Sequence, residues 1–367
     1  MKAFMTAALV AFASASLSFA NGAPAAEKPP AIDIVFCIDC SGSMGGVIES
    51  AKQKVWAIVN EVARAKPTPT LRIGLLGYGQ ADRAFRTTEL SSDLDEVYEN
   101  LMAFDANFGG DEWVGLMIHK AANEMTWSDG DQVLKVIYVV GNETAQQGTV
   151  DYKTSAPEAI AKGIMVNAIY CGNEGTDVRT TWQEVARLAD GQYLEIDPSG
   201  GTILVATPYD DQLAQLNQQL NETYLGYGRQ REAGAAAQSA QDSAAATLGT
   251  AVVAERAVAK STVLYSNARW DLVDAVAQPD FKLAEIEAED LPDEMRSMTP
   301  EQRLAHIEQK AQQRKQVQAE IQELAAKREA FVREETEKQG LQTDQAFDNA
   351  VRNSLRQQAE QKGFSFE

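Results

Sequence analysis

Several residue types on which common enzymes and nucleic-acid-binding proteins depend are scarce in this chain of 367 residues. It has only 2 histidines and 3 cysteines, and it contains no GxxxxGK[ST] sequence. These features argue against a histidine-based catalytic triad, a structural zinc site and a phosphate-binding ATPase loop. Basic residues are also few, since 33 Lys and Arg stand against 53 Asp and Glu and give a formal net charge of -20. That charge argues against nucleic acid and anionic membranes as partners.

Long apolar runs are missing after the first twenty residues, so we expect no integral membrane segment. Residues 1–20 contain one lysine, a short apolar stretch rich in Ala and Ser, and a small-residue end, which is the pattern of a secretory signal peptide. Residues 21–30 then read as a flexible lead-in. We therefore expect an exported protein, either periplasmic or secreted.

From residue 31 to residue 228, apolar strands alternate with amphipathic helices. Such alternation predicts an α/β fold, with a doubly wound, mostly parallel sheet that is covered by helices on both faces. In sheets of this kind, ligands bind at the carboxyl ends of the strands, near a topological switch point. The predicted strands are 32–38, 71–79, 134–141, 164–172 and 191–197.

The composition changes after residue 228, and we divide the remainder into two regions. Residues 229–298 begin with an Ala-rich segment, either helix or linker, and continue as a mixed helical region. Residues 299–367 are predicted to be α-helical, beginning at Thr299 with the pattern of a capping box. A thin apolar stripe along this helix is interrupted by Arg314 and Arg328. It predicts a helical hairpin or a coiled coil, through which the protein could oligomerise.

The sequence FCIDCSGSM places Asp39, Ser41 and Ser43 at the end of the first buried strand, just before a helix. Alternate residues of such a turn direct their oxygens to the same side. One carboxylate and two hydroxyls then make a corner suited to Mg²⁺, with Mn²⁺ and Ca²⁺ as the other candidates. The competing interpretation is that these side chains only cap the following helix.

The segment IDIVFCIDCSGSM followed by a helix resembles the first strand and turn of a von Willebrand factor type A domain. The resemblance covers about residues 31–228. It implies a six-stranded, mostly parallel sheet with one antiparallel edge strand. It also implies a metal-ion-dependent adhesion site, where a divalent cation keeps one coordination position for the carboxylate of a protein partner.

The first motif of that family matches at Asp39, Ser41 and Ser43, whereas the other two motifs differ. Where the family usually has threonine after glycines, the sequence FGGDEW offers Asp111, with Glu112 as an accessory. Asp111 could instead cap the next helix.

Where the family usually has aspartate in TDG, the sequence GNE offers Asn142, with Glu143 as an accessory. Asn142 could instead only donate or accept a hydrogen bond at Ser43. Because Asn142 is neutral, a weaker metal site is expected here.

Three classes of function compete. The leading hypothesis is a binding protein that engages a protein partner through the metal, and not an enzyme. The alternative is a structural or assembly protein with a degenerate metal site that interacts through its C-terminal helices. A metal-dependent hydrolase would need a general base at the ion, and only Glu112 or Glu143 could be assigned to that role.

The three cysteines are expected to stay free despite export. The strand that ends at Asp39 and the strand that ends at Cys171 should be separated by the strand that ends at Gly141. Strands two positions apart lie about 10 Å from each other, whereas a disulfide needs Cα atoms within about 7 Å. Cys37, inside its strand, should be a buried thiol.

Overall fold

The structure, a computed structural model, describes residues 28–79, 86–341 and 345–366. The predicted signal peptide and most of the predicted lead-in lie outside the described residues. The central element is a six-stranded sheet in the order β4-β3-β1-β5-β6-β7, with β3 and β4 antiparallel and the other neighbours parallel. The predicted doubly wound sheet with one antiparallel edge strand is therefore confirmed. Its strands are β1 (Ala31–Asp39), β3 (Thr70–Tyr78), β4 (Arg86–Ser91), β5 (Val133–Gly141), β6 (Ile164–Tyr170) and β7 (Tyr193–Glu195).

Strand β1 lies at the centre of this sheet, and all nine of its residues are buried. It pairs in parallel with β3 on one side and with β5 on the other. Because the chain moves outward from β1 to β4 and then returns to β5, the topological switch point lies between β1 and β5. The carboxyl end of β1, where Asp39 is located, therefore lies at the position where doubly wound sheets bind ligands.

Helices cover both faces of the sheet. One face packs against the first helix and its neighbours, and the other packs against the third, fourth and fifth helices. A short 3-10 turn, Gly42–Met44, connects β1 to the first helix. The helices of this part of the chain are α1 (Gly45–Ala63), α2 (Leu94–Met102), α3 (Val114–Glu124), α4 (Tyr152–Ala161) and α5 (Thr176–Leu188).

Two elements of this part were not predicted from the sequence. Strand β4 (RTTELS) is an edge strand with exposed and buried residues in alternation, and it has few apolar residues to reveal it. Helix α4 has Pro157 in its interior and a weakly amphipathic sequence. Both elements form because they pack on strands and helices that a local sequence window does not contain.

The second half of the described chain is helical. The Ala-rich segment, left open between helix and linker, forms two helices that pack against the α1 side of the sheet domain. Small side chains such as Ala254, Ala257 and Ala259 are fully buried there, which lets the helices approach closely. The helices are α6 (Asp210–Asn221), α7 (Arg231–Leu248), α8 (Thr250–Lys260), α9 (Leu272–Val276), α10 (Pro300–Gln339) and α11 (Phe347–Gln361).

A network of buried charges joins α6, α7 and α8. Asp242 on α7 accepts hydrogen bonds from Arg256 and Lys260 on α8 and from Asn217 and Asn221 on α6. Both basic side chains are fully buried. Burial would raise the pKa of Asp242, but the charges of Lys260 and Arg256 outweigh it and lower this pKa to about 2.

Helix α10 begins with the predicted capping box, in which Thr299 and Gln302 exchange hydrogen bonds. Its buried side packs against α6, α8 and α9 of the same chain. Arg314, which interrupts the apolar stripe in the sequence, is buried and pairs with Asp271 and Asp274. The stripe is therefore used within the chain between Ile307 and Leu324. Along this stretch it is not a surface for a coiled coil with a partner. None of the described helices combines the length and apolarity needed to cross a bilayer.

The last helix, α11, returns to the sheet and covers the α1 face of β1 and β5. Phe347, Val351 and Leu355 belong to the same buried cluster as the strand side chains. The hydroxyl of Tyr138 on β5 hydrogen-bonds to the Val351 carbonyl oxygen at 3.2 Å. Beyond α11, the short strand β8 (Ser365–Phe366) pairs antiparallel with β2 (Ala65–Lys66), just after α1.

Candidate metal centre

The turn after β1 directs three side-chain oxygens to one place. Asp39 is fully buried, and its carboxylate accepts hydrogen bonds from the Ser41 backbone N–H at 2.7 Å and from the Ser41 hydroxyl at 3.0 Å. The Ser41 and Ser43 hydroxyls lie 3.1 Å apart. The aspartate thus fixes the turn, as Asp does in Asx turns, and the two serines extend the polar cluster outward.

The interpretation of these residues as helix caps is wrong. Ser41 precedes the 3-10 turn and Met44 precedes α1, and neither position has a side-chain capping hydrogen bond. Trp113 is the capping position of α3, also without such a bond, so Asp111 does not cap that helix. The polar side chains of the Asp39 turn are therefore not engaged in completing the helix that follows.

A second loop is attached to this turn through the backbone. Phe108 forms a parallel bridge with Ser41, in which the Gly42 N–H donates to the Phe108 carbonyl at 3.0 Å and the Phe108 N–H donates to the Cys40 carbonyl at 3.2 Å. This bridge sets which residue of the following GGDE sequence faces Asp39. The structure turns Glu112 inward, with 2 % of its surface exposed, and leaves Asp111 in solvent.

Glu112 and Asp39 form a carboxyl–carboxylate pair. Burial and the hydrogen bond to Asp39 raise the pKa of Glu112, and burial also raises the pKa of Asp39. Because two carboxylates this close repel each other, the pair is costly to keep fully ionised without a cation. Among the described residues, no basic side chain pairs with either carboxyl group. Of the two acidic residues in this loop, Glu112 and not Asp111 therefore lies against Asp39.

Asn142 follows β5 and reaches the same cluster. Its amide donates to the Ser43 hydroxyl at 2.8 Å, which is the hydrogen-bonding alternative considered for it. Its Oδ1 atom is buried and has no hydrogen-bond partner within the described part of the chain. A buried acceptor without a donor is costly, so this oxygen is available as a ligand for a cation.

Glu143 lies next to the cluster but faces solvent. Gln147 accepts a hydrogen bond from the Glu112 backbone N–H at 2.7 Å and donates one to the Glu143 carboxylate at 2.6 Å. Glu143 is close enough for its charge to raise the pKa of both Asp39 and Glu112. Sequence reasoning missed Gln147, which had no pattern to distinguish it.

Close packing fixes the strand ends beneath these residues. The hydroxyl of Tyr78, at the end of β3, donates to the Val140 carbonyl oxygen at 2.8 Å. Gly79 has φ +113, and a Cβ atom there would lie 3.0 Å from the Asp39 carboxylate. A side chain at this position would therefore strain the backbone and displace Asp39.

The donor set fits a hard divalent cation. Two carboxylates, two hydroxyls and one amide oxygen are ligands of the kind that Mg²⁺ and Ca²⁺ prefer. A cation would relieve the repulsion between Asp39 and Glu112, and it would place a positive charge near the unpartnered Asn142 oxygen. Among the described residues, no three His, Cys, Asp or Glu side chains group as a metal site, so the hydroxyls are essential to this one.

Comparisons with known proteins point to the same part of the chain. Residues 33–190 match the family model of the von Willebrand factor type A domain. No curated protein sequence matches the chain.

Solved structures were also compared. The conserved hypothetical protein BatB from Bacteroides thetaiotaomicron is 19 % identical, with 45 % of this chain and 90 % of that chain covered and a TM-score of 0.36. An aerotolerance-related membrane protein from Bacteroides fragilis is 18 % identical, with 46 % and 92 % covered and a TM-score of 0.33. Proximal thread matrix protein 1 from the mussel byssus, with a zinc-occupied MIDAS motif, is 14 % identical, with 55 % and 62 % covered and a TM-score of 0.39.

The family match lies within the doubly wound sheet, beginning in β1 and ending two residues after α5. Sequence and fold therefore agree, and we conclude that residues 33–190 belong to the von Willebrand factor type A domain family.

Proposed function

We propose that this protein is an exported binding protein that engages a protein partner through a divalent cation, with Mg²⁺ the favoured ion. Type A domains are generally interaction modules and not enzymes. The residues that would hold the ion are Asp39, Ser41, Ser43 and Glu112. The Oδ1 atom of Asn142 would complete the donor set while its amide N–H orients Ser43, and this assignment replaces Asp111 by Glu112.

One observation carries the proposal. The buried carboxyl groups of Asp39 and Glu112 face each other at the carboxyl end of the central strand, where no basic side chain of the described residues neutralises them. A purely structural role would favour an Arg or Lys partner, as Asp33 has in Arg72 at the opposite end of the same strand. The contrast between the two ends of β1 favours a cation that comes from outside the chain.

When bound, the ion would supply a positive charge and an open coordination position for a carboxylate of the partner. The protein's own residues determine what surrounds that position. Asp111 and Glu143 are exposed beside the cluster and carry negative charge. A partner carboxylate approaching alone would be repelled by them. We therefore expect its acidic residue to be flanked by Lys or Arg, which would complement this rim.

The site should be tested by titrating the full chain with Mg²⁺, Mn²⁺ and Ca²⁺ in a calorimeter. Asp39→Ala should abolish binding, because it removes a carboxylate that no neighbouring group can replace. Asp39→Asn keeps the size of the side chain and its bond to the Ser41 N–H, so it separates loss of charge from loss of the turn. Circular dichroism should show both variants folded. Parent-like affinity in Asp39→Asn would overturn the metal assignment.

The partner should be sought by capture from exported proteins, with and without a chelator. Binding that a chelator and Asp39→Asn both abolish would support a metal-dependent contact. The alternative, assembly through the C-terminal helices, predicts binding that neither changes. That alternative is weakened by α10, whose apolar stripe between Ile307 and Leu324 is covered by the same chain. Export itself rests on residues 1–20, and N-terminal sequencing of the mature protein tests it.

A further inference from the structure

A cleft remote from the Asp39 cluster lies where α1, α8, α10 and α11 converge. Its volume is about 190 Å³. Part of the wall is apolar, with Val205, Val258 and Val332 among the lining residues. The rest is charged, and the pairing of those charges decides what the cleft can bind.

The basic side chains of the lining all have acidic partners. Arg64 forms two hydrogen bonds with Glu329, and Arg352 pairs with Glu61. Lys54 lies 3.3 Å from Oε1 of Glu255.

The fourth basic residue, Arg328, pairs with Asp210 at 2.8 Å and approaches the same Glu255 oxygen at 3.7 Å. An anionic ligand would have to break one of these pairs, so the cleft is not built for an anion.

The polar groups of the lining that have no partner are hydrogen-bond acceptors. Glu255 is 7 % exposed, and its second carboxylate oxygen, Oε2, is buried without a hydrogen-bond partner. The Oδ1 atom of Asn60 is also buried and unpartnered, while its Nδ2 donates to the Glu255 backbone carbonyl at 3.0 Å. The two orphaned acceptors are therefore held on neighbouring residues. Asp348, 7 % exposed, has no ion-pair partner among the described residues.

We propose that this cleft binds a small linear aliphatic diamine. An ammonium group would donate hydrogen bonds to Glu255 Oε2 and Asn60 Oδ1, and its charge would favour the carboxylate. The alkyl chain would lie on the valines. A second ammonium group would compensate the charge of Asp348. This site is independent of the metal site, so failure of either proposal leaves the other standing.

Calorimetry on the full chain with 1,4-diaminobutane tests the proposal. 1,4-Butanediol and succinate are matched probes, because they keep the four-carbon length and replace the amines by neutral or anionic groups. We expect measurable binding of the diamine at millimolar concentration and none of the other two. Succinate or butanediol binding as tightly as the diamine would overturn the ligand class, and no diamine binding would overturn the site.

Three substitutions locate the binding. Glu255→Gln should weaken diamine binding at least about tenfold, because it replaces the unpartnered oxygen of a charge-assisted hydrogen bond. Glu329→Gln is the matched control, since it removes the same charge from the lining at a carboxylate whose oxygens both pair with Arg64. It should change the affinity less than about threefold. Equal losses in the two variants would overturn the role of Glu255.

Ala325→Phe fills the cleft without changing any charge, and it serves if Glu255→Gln fails to fold. It should abolish diamine binding while leaving Mg²⁺ binding unchanged. Parent-like diamine affinity in Ala325→Phe would place the diamine elsewhere and refute the proposal.

Discussion

The most discriminating experiment on the metal site compares two adjacent acidic residues of one loop. Glu112→Gln and Asp111→Asn each remove one negative charge and preserve the size of the side chain. Glu112 is buried against Asp39, whereas Asp111 is exposed. Sequence motifs alone favour Asp111 as the ligand, whereas the structure favours Glu112. The two variants therefore distinguish the prediction from the motif from the prediction from the structure.

The expected magnitudes follow from the surroundings of each carboxylate. At a separation of 4 Å, two unit charges interact by about 4 kcal/mol when the effective dielectric constant is near 20, and by about 1 kcal/mol in water. The larger interaction energy applies to the buried Glu112. The net gain is smaller than this energy, because metal binding must also displace a proton from the carboxyl pair. We therefore expect Glu112→Gln to weaken Mg²⁺ binding tenfold to about a thousandfold. Asp111→Asn should weaken it less than about fivefold.

The assay is calorimetric titration with Mg²⁺ and Mn²⁺ at neutral pH, at two salt concentrations. Salt should reduce the small effect of Asp111→Asn, because the field of an exposed charge is screened within about 10 Å. The effect of Glu112→Gln should persist. If Asp111→Asn is the more damaging of the two, the inward orientation of Glu112 is wrong, and the Phe108 bridge does not set the loop as described.

Three further outcomes are expected. Asn142→Asp should tighten Mg²⁺ binding about fivefold or more, since it adds a charge beside the ion; unchanged affinity would place this residue outside the reach of the metal. All three cysteines are free and buried, so thiol titration of unreduced protein should find three thiols after denaturation and almost none before it, and a count of one would reveal a disulfide. Asp242 has a folded pKa near 2, below its usual 3.8, so its contribution of roughly 2 kcal/mol is present above pH 4 and is lost between pH 4 and pH 2. Urea unfolding should show the stability gap between the parent and Asp242→Asn closing over that range, and a constant gap would contradict the assigned pKa.

The sheet and the Asp39 turn could be predicted because each is determined by residues that are close together in the sequence. A buried strand reads as a continuous apolar run, and DxSxS places three oxygens by the alternation of a short turn. The order of β1, β5 and β6, with β5 in the middle, followed from the resemblance and is confirmed.

The orientation of the GGDE loop could not be predicted in the same way. Adjacent residues point in opposite directions, and a shift of one position exchanges Asp111 for Glu112. The backbone bridge between Phe108 and Ser41 sets that position, and these residues are far apart in sequence. A sequence motif also cannot predict that the Asn142 oxygen has no partner, because this depends on which donors the fold brings close to it.

Polar residues misled the interpretation of α10 for a related reason. Arg314 interrupts the apolar stripe in the sequence, yet it is more buried than most of that stripe. Its guanidinium pairs with Asp271 and Asp274, and it stacks over the ring of Tyr224 at 4.1 Å. A buried arginine that pairs with two carboxylates fixes the position of α10 relative to α9. A uniform apolar stripe would define that position less strictly. The competing possibility of a partner helix arose only because these acids are remote in sequence.

The C-terminal helix shows how far the sheet domain depends on residues outside the family match, which ends at residue 190. Phe347, Val351 and Leu355 of α11 are buried on the α1 face of the sheet. At about 1.5–3 kcal/mol for each buried apolar side chain, these three contribute roughly 5–9 kcal/mol. That is comparable with the entire stability of a typical domain, about 5–15 kcal/mol. The last helix therefore contributes substantially to the stability of this sheet, although more than 150 residues separate it from the end of the matched segment.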